Sequence, residues 1–119
     1  MLNTNLLPPD VRGTITKCEI VGTKFNVLYT KAGALRSGDF HDSTQFDLVL
    51  SGEWEITTFE NGKDVVRKYS SNNLIQIPPN TPHLFRALID NVTIEWWDKE
   101  FQAQYYGPYR EQVDKQLVK

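Results

Sequence analysis

Apolar and polar residues alternate along most of this 119-residue chain. The stretch Thr14, Ile15, Thr16, Lys17, Cys18, Glu19, Ile20 changes character at nearly every step, and so does the late stretch from Val92 to Trp97. A period of two sends successive side chains to opposite faces of a strand, whereas a helical face recurs every three to four residues. On this pattern strands are expected at 13–21, 24–30, 45–50, 53–59, 64–69, 74–77, 83–88 and 92–97, with a further one at 101–106. The segment from Glu53 to Phe59 is rich in β-branched and aromatic residues, which suit a half-buried pleated surface. Ser51-Gly52 joins two of the strands. Asn61-Gly62 is a dipeptide favoured where both central residues of a hairpin need positive φ.

A lead-in containing Pro8 and Pro9 precedes the first expected strand, and only the tail from Tyr109 onward has a helical spacing, with Val113 and Leu117 four apart among charges. Many short strands with almost no helix imply an antiparallel sandwich or barrel. Alternation alone leaves jelly roll, lipocalin and immunoglobulin-like sandwich open, although a chain with one cysteine lacks the disulfide of antibody domains.

Composition narrows the function classes. The chain is 39% hydrophobic and 24% charged, the balance of a globular domain, and its length suits one domain. A formal net charge of −2, with acids and bases mixed throughout, gives no positive field for nucleic acid. No apolar run approaches the roughly 20 residues that cross a bilayer, and the N-terminal residues do not read as a secretion signal. Cys18 is alone, so no intramolecular disulfide or cysteine-based zinc cluster forms, and it reads as a small strand residue rather than a nucleophile. A cytoplasmic location is the expectation.

Two segments resemble the paired motifs of the cupin superfamily. Gly33, Asp39, His41, Gln45 and Gly52 fall at the spacing of the first motif, which in the family reads Gly, His, His, Glu, Gly. Asn72, Pro78, Asn80, His83 and Ala87 fall at the spacing of the second, which reads Gly, Pro, Gly, His, Asn. The run Ile77-Pro78-Pro79-Asn80-Thr81-Pro82-His83 is similar to the family's approach to its last ligand, and both histidines of the chain occupy ligand positions. The resemblance implies an all-β fold, the cupin double-stranded β-helix (a jelly-roll barrel) with a short C-terminal helix. It would form a single domain over residues 1–119, with the barrel at about 13–106 and the helical tail at about 109–118. It also implies a homodimer.

In that arrangement Asp39 and His41, two apart on a strand, share a face, Gln45 opens the next strand, and His83 arrives from a separate one. All four then converge inside the barrel, where small barrels hold ligands. The family's three-His, one-Glu set has become Asp39, His41, Gln45 and His83. Two imidazoles and one carboxylate still match the donor set of non-haem iron(II) centres, with Gln45 as a weak fourth oxygen. Iron, manganese, nickel and zinc are not separated by ligand type. The alternative is a metal-free interior in which the histidines and Gln45 satisfy one another by hydrogen bonds. The cost of burying two histidines and an aspartate tilts the balance toward a metal or a catalytic role.

If Gln45 faces inward, so do Asp47 and Val49, while Phe46, Leu48 and Leu50 pack outside. Asp47 joins His41 and His83 as a candidate acid or base, against the plainer reading of a solvated carboxylate or a partner of Arg36. Arg36 is a candidate for binding a substrate anion, although a surface arginine is the simpler expectation. Phe85 shares a face with His83 and is a candidate apolar wall. Glu95 and Trp97, on one face with Thr93, are further candidates for substrate contact, with the choice between Trp96 and Trp97 as pocket wall left open. The cluster from Tyr105 to Arg110 is expected to seal a barrel end or a dimer interface.

The leading function is a metal-dependent small-molecule enzyme, an isomerase, lyase or dioxygenase of cupin type, acting on a polar oxygenated substrate, sugar- or acid-like. A second is a metal-free sugar-nucleotide isomerase or epimerase with His41 or His83 as base, counted against by a sparse basic lining, Arg36 and Arg86 being the nearby arginines. A third is a non-catalytic metabolite-binding or structural cupin.

Overall fold

The computed structural model describes residues 2–100 and 102–117. Its elements are β1 (Leu2–Leu6), β2 (Gly13–Ile20), β3 (Thr23–Thr30), β4 (Leu35–His41), β5 (Gln45–Ser51), β6 (Glu53–Glu60), β7 (Lys63–Ser70), β8 (Leu74–Ile77), β9 (His83–Ala87), β10 (Asn91–Trp97), β11 (Ala103–Tyr105) and α1 (Gly107–Leu117). One sheet runs β1-β2-β3-β10-β5-β8 and the other β11-β4-β9-β6-β7, with every pairing antiparallel. The strands expected from alternation form within a residue or so at each end, except the last. That one is reduced to Ala103–Tyr105, and its expected start at Phe101 lies outside the described residues, as does Val118 of the expected tail.

Two strands escaped the alternation. β1 is a short polar segment whose pairing with β2, Leu2 opposite Ile20 through Leu6 opposite Thr16, supplies the ladder its own sequence does not advertise. β4 is interrupted by a bulge: Arg36 pairs with Phe85 and Asp39 with His83, so three residues span what two span on β9. Ser37 and Gly38 carry the extra residue, both at φ 76°.

The interior is divided along the strands. One end is an apolar cluster of Val49, Trp54, Ile56, Ile75, Ile77, Phe85 and Ala87. The other end is polar, with His41, Gln45, Asp47 and His83 all buried. The division follows from alternation within each strand. β5 presents Gln45, Asp47 and Val49 inward, with Phe46 and Leu48 half-buried behind and Leu50 exposed. β6 presents Trp54, Ile56 and Thr58 opposite Ala87, Phe85 and His83 of β9. Gly52, at φ 110°, makes the β5–β6 turn where a Cβ would lie 2.1 Å from Asn91 Cβ, so only glycine fits.

The tail packs on the outside of the five-stranded sheet rather than hanging free. Tyr109 and Val113 of α1 pack with Leu84, flanked by Leu35, Phe59, Tyr106 and Leu117. Tyr106 N–H donates to Gly38 carbonyl at 2.9 Å, and Arg110 Nη1 donates to Ser37 carbonyl at 3.0 Å, so the helix is pinned to the bulge of β4. Among the described residues no helix is long and apolar enough to cross a membrane.

Candidate metal centre in the barrel

Three strand segments bring the donors together. Asp39 and His41 share the inner face of β4, and His83 opens β9 directly across from Asp39. One donor atom from each of Asp39, His41 and His83 lies within 4.8 Å of the others, a spacing that fits ligands around a single ion. The two imidazole rings meet edge to face at 5.0 Å between centroids. His83 is 0% exposed, His41 2%, and the Asp39 side chain 14%.

Both rings are held by the backbone. His83 Nδ1 donates to the Thr81 carbonyl at 2.8 Å, and His41 Nδ1 donates to the Ser43 carbonyl at 2.8 Å. A carbonyl only accepts, so each ring carries a proton on Nδ1; the neutral His83 ring then offers a lone pair at Nε2, the arrangement that prepares a histidine to bind metal, whereas His41 Nε2 is engaged with Gln45 Oε1 at 2.9 Å. The Ser43 carbonyl comes from the β4–β5 turn and the Thr81 carbonyl from the β8–β9 turn. Asn80 in that second turn, and Asn72 in the β7–β8 turn, stand where the family has glycine and adopt φ of 58° and 71°, a region asparagine tolerates better than most residues.

His83 Nε2 tests whether a cation fits. It is fully buried and has no hydrogen-bond donor among the described residues, while Asp39 Oδ1 stands 3.2 Å away. Two atoms that both present lone pairs repel at that distance unless a cation, a proton or a metal ion, lies between them. A divalent ion satisfies both.

Gln45 sits beside the centre. Its Oε1 is 2.9 Å from His41 Nε2, and its Nε2 donates to Asp47 Oδ1 at 2.7 Å and Glu95 Oε2 at 3.2 Å. Binding a metal through His41 therefore requires Gln45 Oε1 to move aside or to join as a fourth oxygen. Asp47 is 1% exposed and lies opposite Glu95 in the β5–β10 ladder. The expectation of a solvated Asp47, or one paired with Arg36, is corrected by this cross-strand carboxyl pair. Burial raises Asp47 well above the ordinary carboxylate range, with the nearby Glu95 charge adding to it. Burial also raises Glu95, and the hydrogen bonds from Asp47 and Asn26 pull it part of the way back. Burial thus favours the protonated form at both carboxyls, more strongly at Asp47.

Arg36 is also corrected: it is not a surface residue but 5% exposed, turned inward by the β4 bulge. Phe85 lies below His83, with ring centroids 5.8 Å apart, and packs on Trp54, so it forms a floor rather than a side wall. Trp97 is the inward tryptophan, 6.3 Å edge to face from His41, while Trp96 stacks on Phe46. Arg86 pairs with Glu55. Of the expected aromatic seal, Tyr106 and Tyr109 close the helix against the sheet, and Tyr105 is exposed with Arg110 over its ring.

A cavity of about 1130 Å³ opens beside the centre, reaching Asp39, Gln45, Glu95 and Trp97. Its walls include Arg12, Lys17, Lys24, Arg36, Lys99 and Arg110 together with Glu19, Asp39, Glu95 and Glu100, so the lining holds more cations than the two arginines expected, mixed with acids. Those residues are scattered over the sequence, and no local signal announced them. A second cavity of about 270 Å³ reaches His41 between Asn80 and Gln104.

No protein-family model and no curated protein matches the chain. Solved structures do. The capsular polysaccharide assembling protein CapF from Staphylococcus aureus is 23% identical, with a TM-score of 0.70 over 87% of this chain and 32% of that one. Bacillus subtilis oxalate decarboxylase, a protein with Mn(II) centres, is 16% identical, with a TM-score of 0.72 over 82% of this chain and 28% of that one. The chain spans about a third or less of the length of the structures it matches. The likeness establishes the fold, the cupin double-stranded β-helix that the two motifs led us to expect.

Proposed function

We propose that this chain of cupin fold is a small-molecule enzyme that holds a divalent metal on Asp39, His41 and His83 and acts on a polar oxygenated substrate entering from the larger cavity. The observation that carries the reading is the buried Nε2 of His83, facing a carboxylate oxygen at 3.2 Å with no donor between them. Iron, manganese, nickel and zinc all suit two imidazoles and a carboxylate. The Mn(II) centres of oxalate decarboxylase, on the same fold, support a metal here. When bound, such an ion supplies Lewis acidity that polarises a carbonyl or hydroxyl oxygen.

The chain's own residues do the rest. The Ser43 and Thr81 carbonyls fix both ring orientations, so neither imidazole has to reorganise. Glu95 and Trp97 border the cavity and contact the substrate, with Phe85 as the floor under His83. Asp47, the carboxyl more strongly held protonated, serves as a proton reservoir, passing the proton through Glu95 to a substrate atom at the cavity wall. Metal content of the purified protein tests the reading. Stoichiometric metal that is lost in both His41→Ala and His83→Ala supports it. A folded wild-type chain that stays metal-free after dialysis against excess Mn(II), Fe(II), Ni(II) and Zn(II) overturns it.

A second reading, proton-transfer chemistry without metal on a sugar-like substrate, is favoured by the same 3.2 Å contact, because a proton on His83 Nε2 also closes it onto Asp39. The likeness to a capsular polysaccharide assembling protein and the cations Lys17, Lys24 and Arg36 in the cavity wall support this version. Turnover by metal-free protein, abolished in His83→Gln, separates it from the first.

A further inference from the structure

The chain has five arginines. Four have a carboxylate partner: Arg12 with Asp10, Arg67 with Glu60, Arg86 with Glu55 and Arg110 with Asp114. The fifth, Arg36, is the buried one, and among the described residues no carboxylate lies within ion-pair distance of it. Its guanidinium is held by neutral acceptors. Nε donates to Thr30 Oγ1 at 2.8 Å, and Nη2 donates to the Tyr29 carbonyl at 3.1 Å and the Thr14 carbonyl at 3.4 Å. Nη1 makes no hydrogen bond with the described residues. Direct salt pairing thus occurs at the four less buried arginines, and the buried one has only the longer-range field of Glu95 and Asp10.

The backbone makes this placement deliberate. Without the extra residue at Ser37 and Gly38, Arg36 would fall on the outer face of β4 when Asp39 and His41 face in. The bulge, with a non-glycine residue at φ 76°, brings all three to the interior, and α1 is pinned over it. Strain of this kind persists only where the surrounding structure enforces it, and it gathers at functional sites. Burial lowers Arg36 to about 10, which leaves it a cation at neutral pH.

Arg36 lines the same cavity as Asp39 and Glu95. Glu95 and Asp10 act on Arg36 only through space, beyond ion-pair distance, and the hydrogen bonds of Glu95 go to Asp47, Gln45 and Asn26, so Nη1 has no carboxylate in contact with it among the described residues. We propose that Arg36 is the carboxylate anchor of the site, so that the substrate is an oxygenated organic acid whose carboxylate meets the guanidinium while its oxygen functions face the centre at Asp39, His41 and His83. This rests on the reading of the barrel as a substrate site. A carboxylate fits better than a phosphate because Nε and Nη2 are already committed to the protein. A phosphate dianion is usually bound by several convergent donors.

The test uses the Nε–Hε resonance of Arg36, assigned by its loss in Arg36→Lys, in a nitrogen-15 correlation spectrum of the full chain at fixed ionic strength. Acetate is titrated first, then acetamide, then inorganic phosphate. The expected result is a saturable shift with acetate, none with acetamide, and weaker binding of phosphate. Arg36→Gln should weaken acetate binding at least tenfold, with Arg36→Lys in between. Acetate that moves the resonance no more than an equal concentration of chloride does, phosphate that binds more tightly than acetate, or Arg36→Gln that binds acetate as the wild type does, overturns the proposal. If Arg36→Gln does not fold, the wild-type titration decides alone. Metal-free and Zn(II)-treated protein are run side by side. Acetate binding without Zn(II) binding removes the metal reading and keeps the anchor, and Zn(II) binding with an unresponsive Arg36 does the reverse.

Discussion

The bulge in β4 should be the most sensitive point of the fold for its size, and Gly38→Ala measures it. Gly38 has φ 76°, and a Cβ there would lie 2.8 Å from Arg110 Cα, 2.9 Å from Arg110 N and 3.2 Å from Tyr109 C. All three are backbone atoms of α1, so no change of rotamer relieves the contact. The left-handed backbone costs an L-residue about 1–2 kcal/mol. Pushing the helix off Leu84 and Leu35 adds an overpacking cost of about 1–3 kcal/mol. The sum, roughly 2–5 kcal/mol, is a large share of the 5–15 kcal/mol that typically separates folded from unfolded states, and should lower the melting temperature by roughly 10–20 °C. Gly22 is the internal control: its φ is 79° with nothing within 4 Å, so Gly22→Ala isolates the backbone cost. Urea and thermal unfolding of both variants give the two contributions separately. Zn(II) titration of the folded Gly38→Ala protein should also show weakened binding, because the same bulge aims Asp39. The reasoning fails if Gly38→Ala unfolds with the same midpoint as Gly22→Ala.

Other expectations follow from single contacts. In metal-free protein the raised values of Asp47 and Glu95 mean that the folded chain keeps protons the unfolded chain releases. The contribution of this pair to stability should therefore be complete below about pH 4, fall as the pH rises through the raised folded values, and level off above them, while Asp10 and Glu60, held low by Arg12 and Arg67, contribute with the opposite slope at acid pH. Asp47→Asn should flatten that fall in urea midpoints measured across the range, and an unchanged slope would count against the raised carboxyl pair. Tyr109→Phe removes the phenol that donates to Asp64 and should cost about 0.5–1.5 kcal/mol by urea unfolding, while a loss within error would show the bond to be idle. Since Trp97 lies 6.3 Å from His41, Ni(II) should quench tryptophan emission, and Trp97→Phe should remove most of that quenching. Quenching that persists undiminished in Trp97→Phe would place the ion elsewhere.

Much of the scaffold was legible in the order of residues. Alternation locates strands because the side-chain period of an extended chain is two whatever it pairs with. Asn61-Gly62 announces a hairpin because both residues must reach positive φ, as they do. The grouping of Asp39, His41 and His83 was readable only through the resemblance to the two cupin motifs, since alternation by itself did not locate β4.

Parity was not legible, because alternation says which residues share a face but not which face is inside, nor where an extra residue reverses the count. Arg36 lies three positions from Asp39, an odd step that predicts opposite faces, and only the Ser37–Gly38 bulge puts both in the interior. The choice of Trp97 over Trp96, and the meeting of Asp47 with Glu95, were set by the register of β5 against β10. Local sequence determines the conformation of each segment. The chemistry of this interior depends on contacts between segments up to about 70 residues apart, whose register only the closed pair of sheets decides.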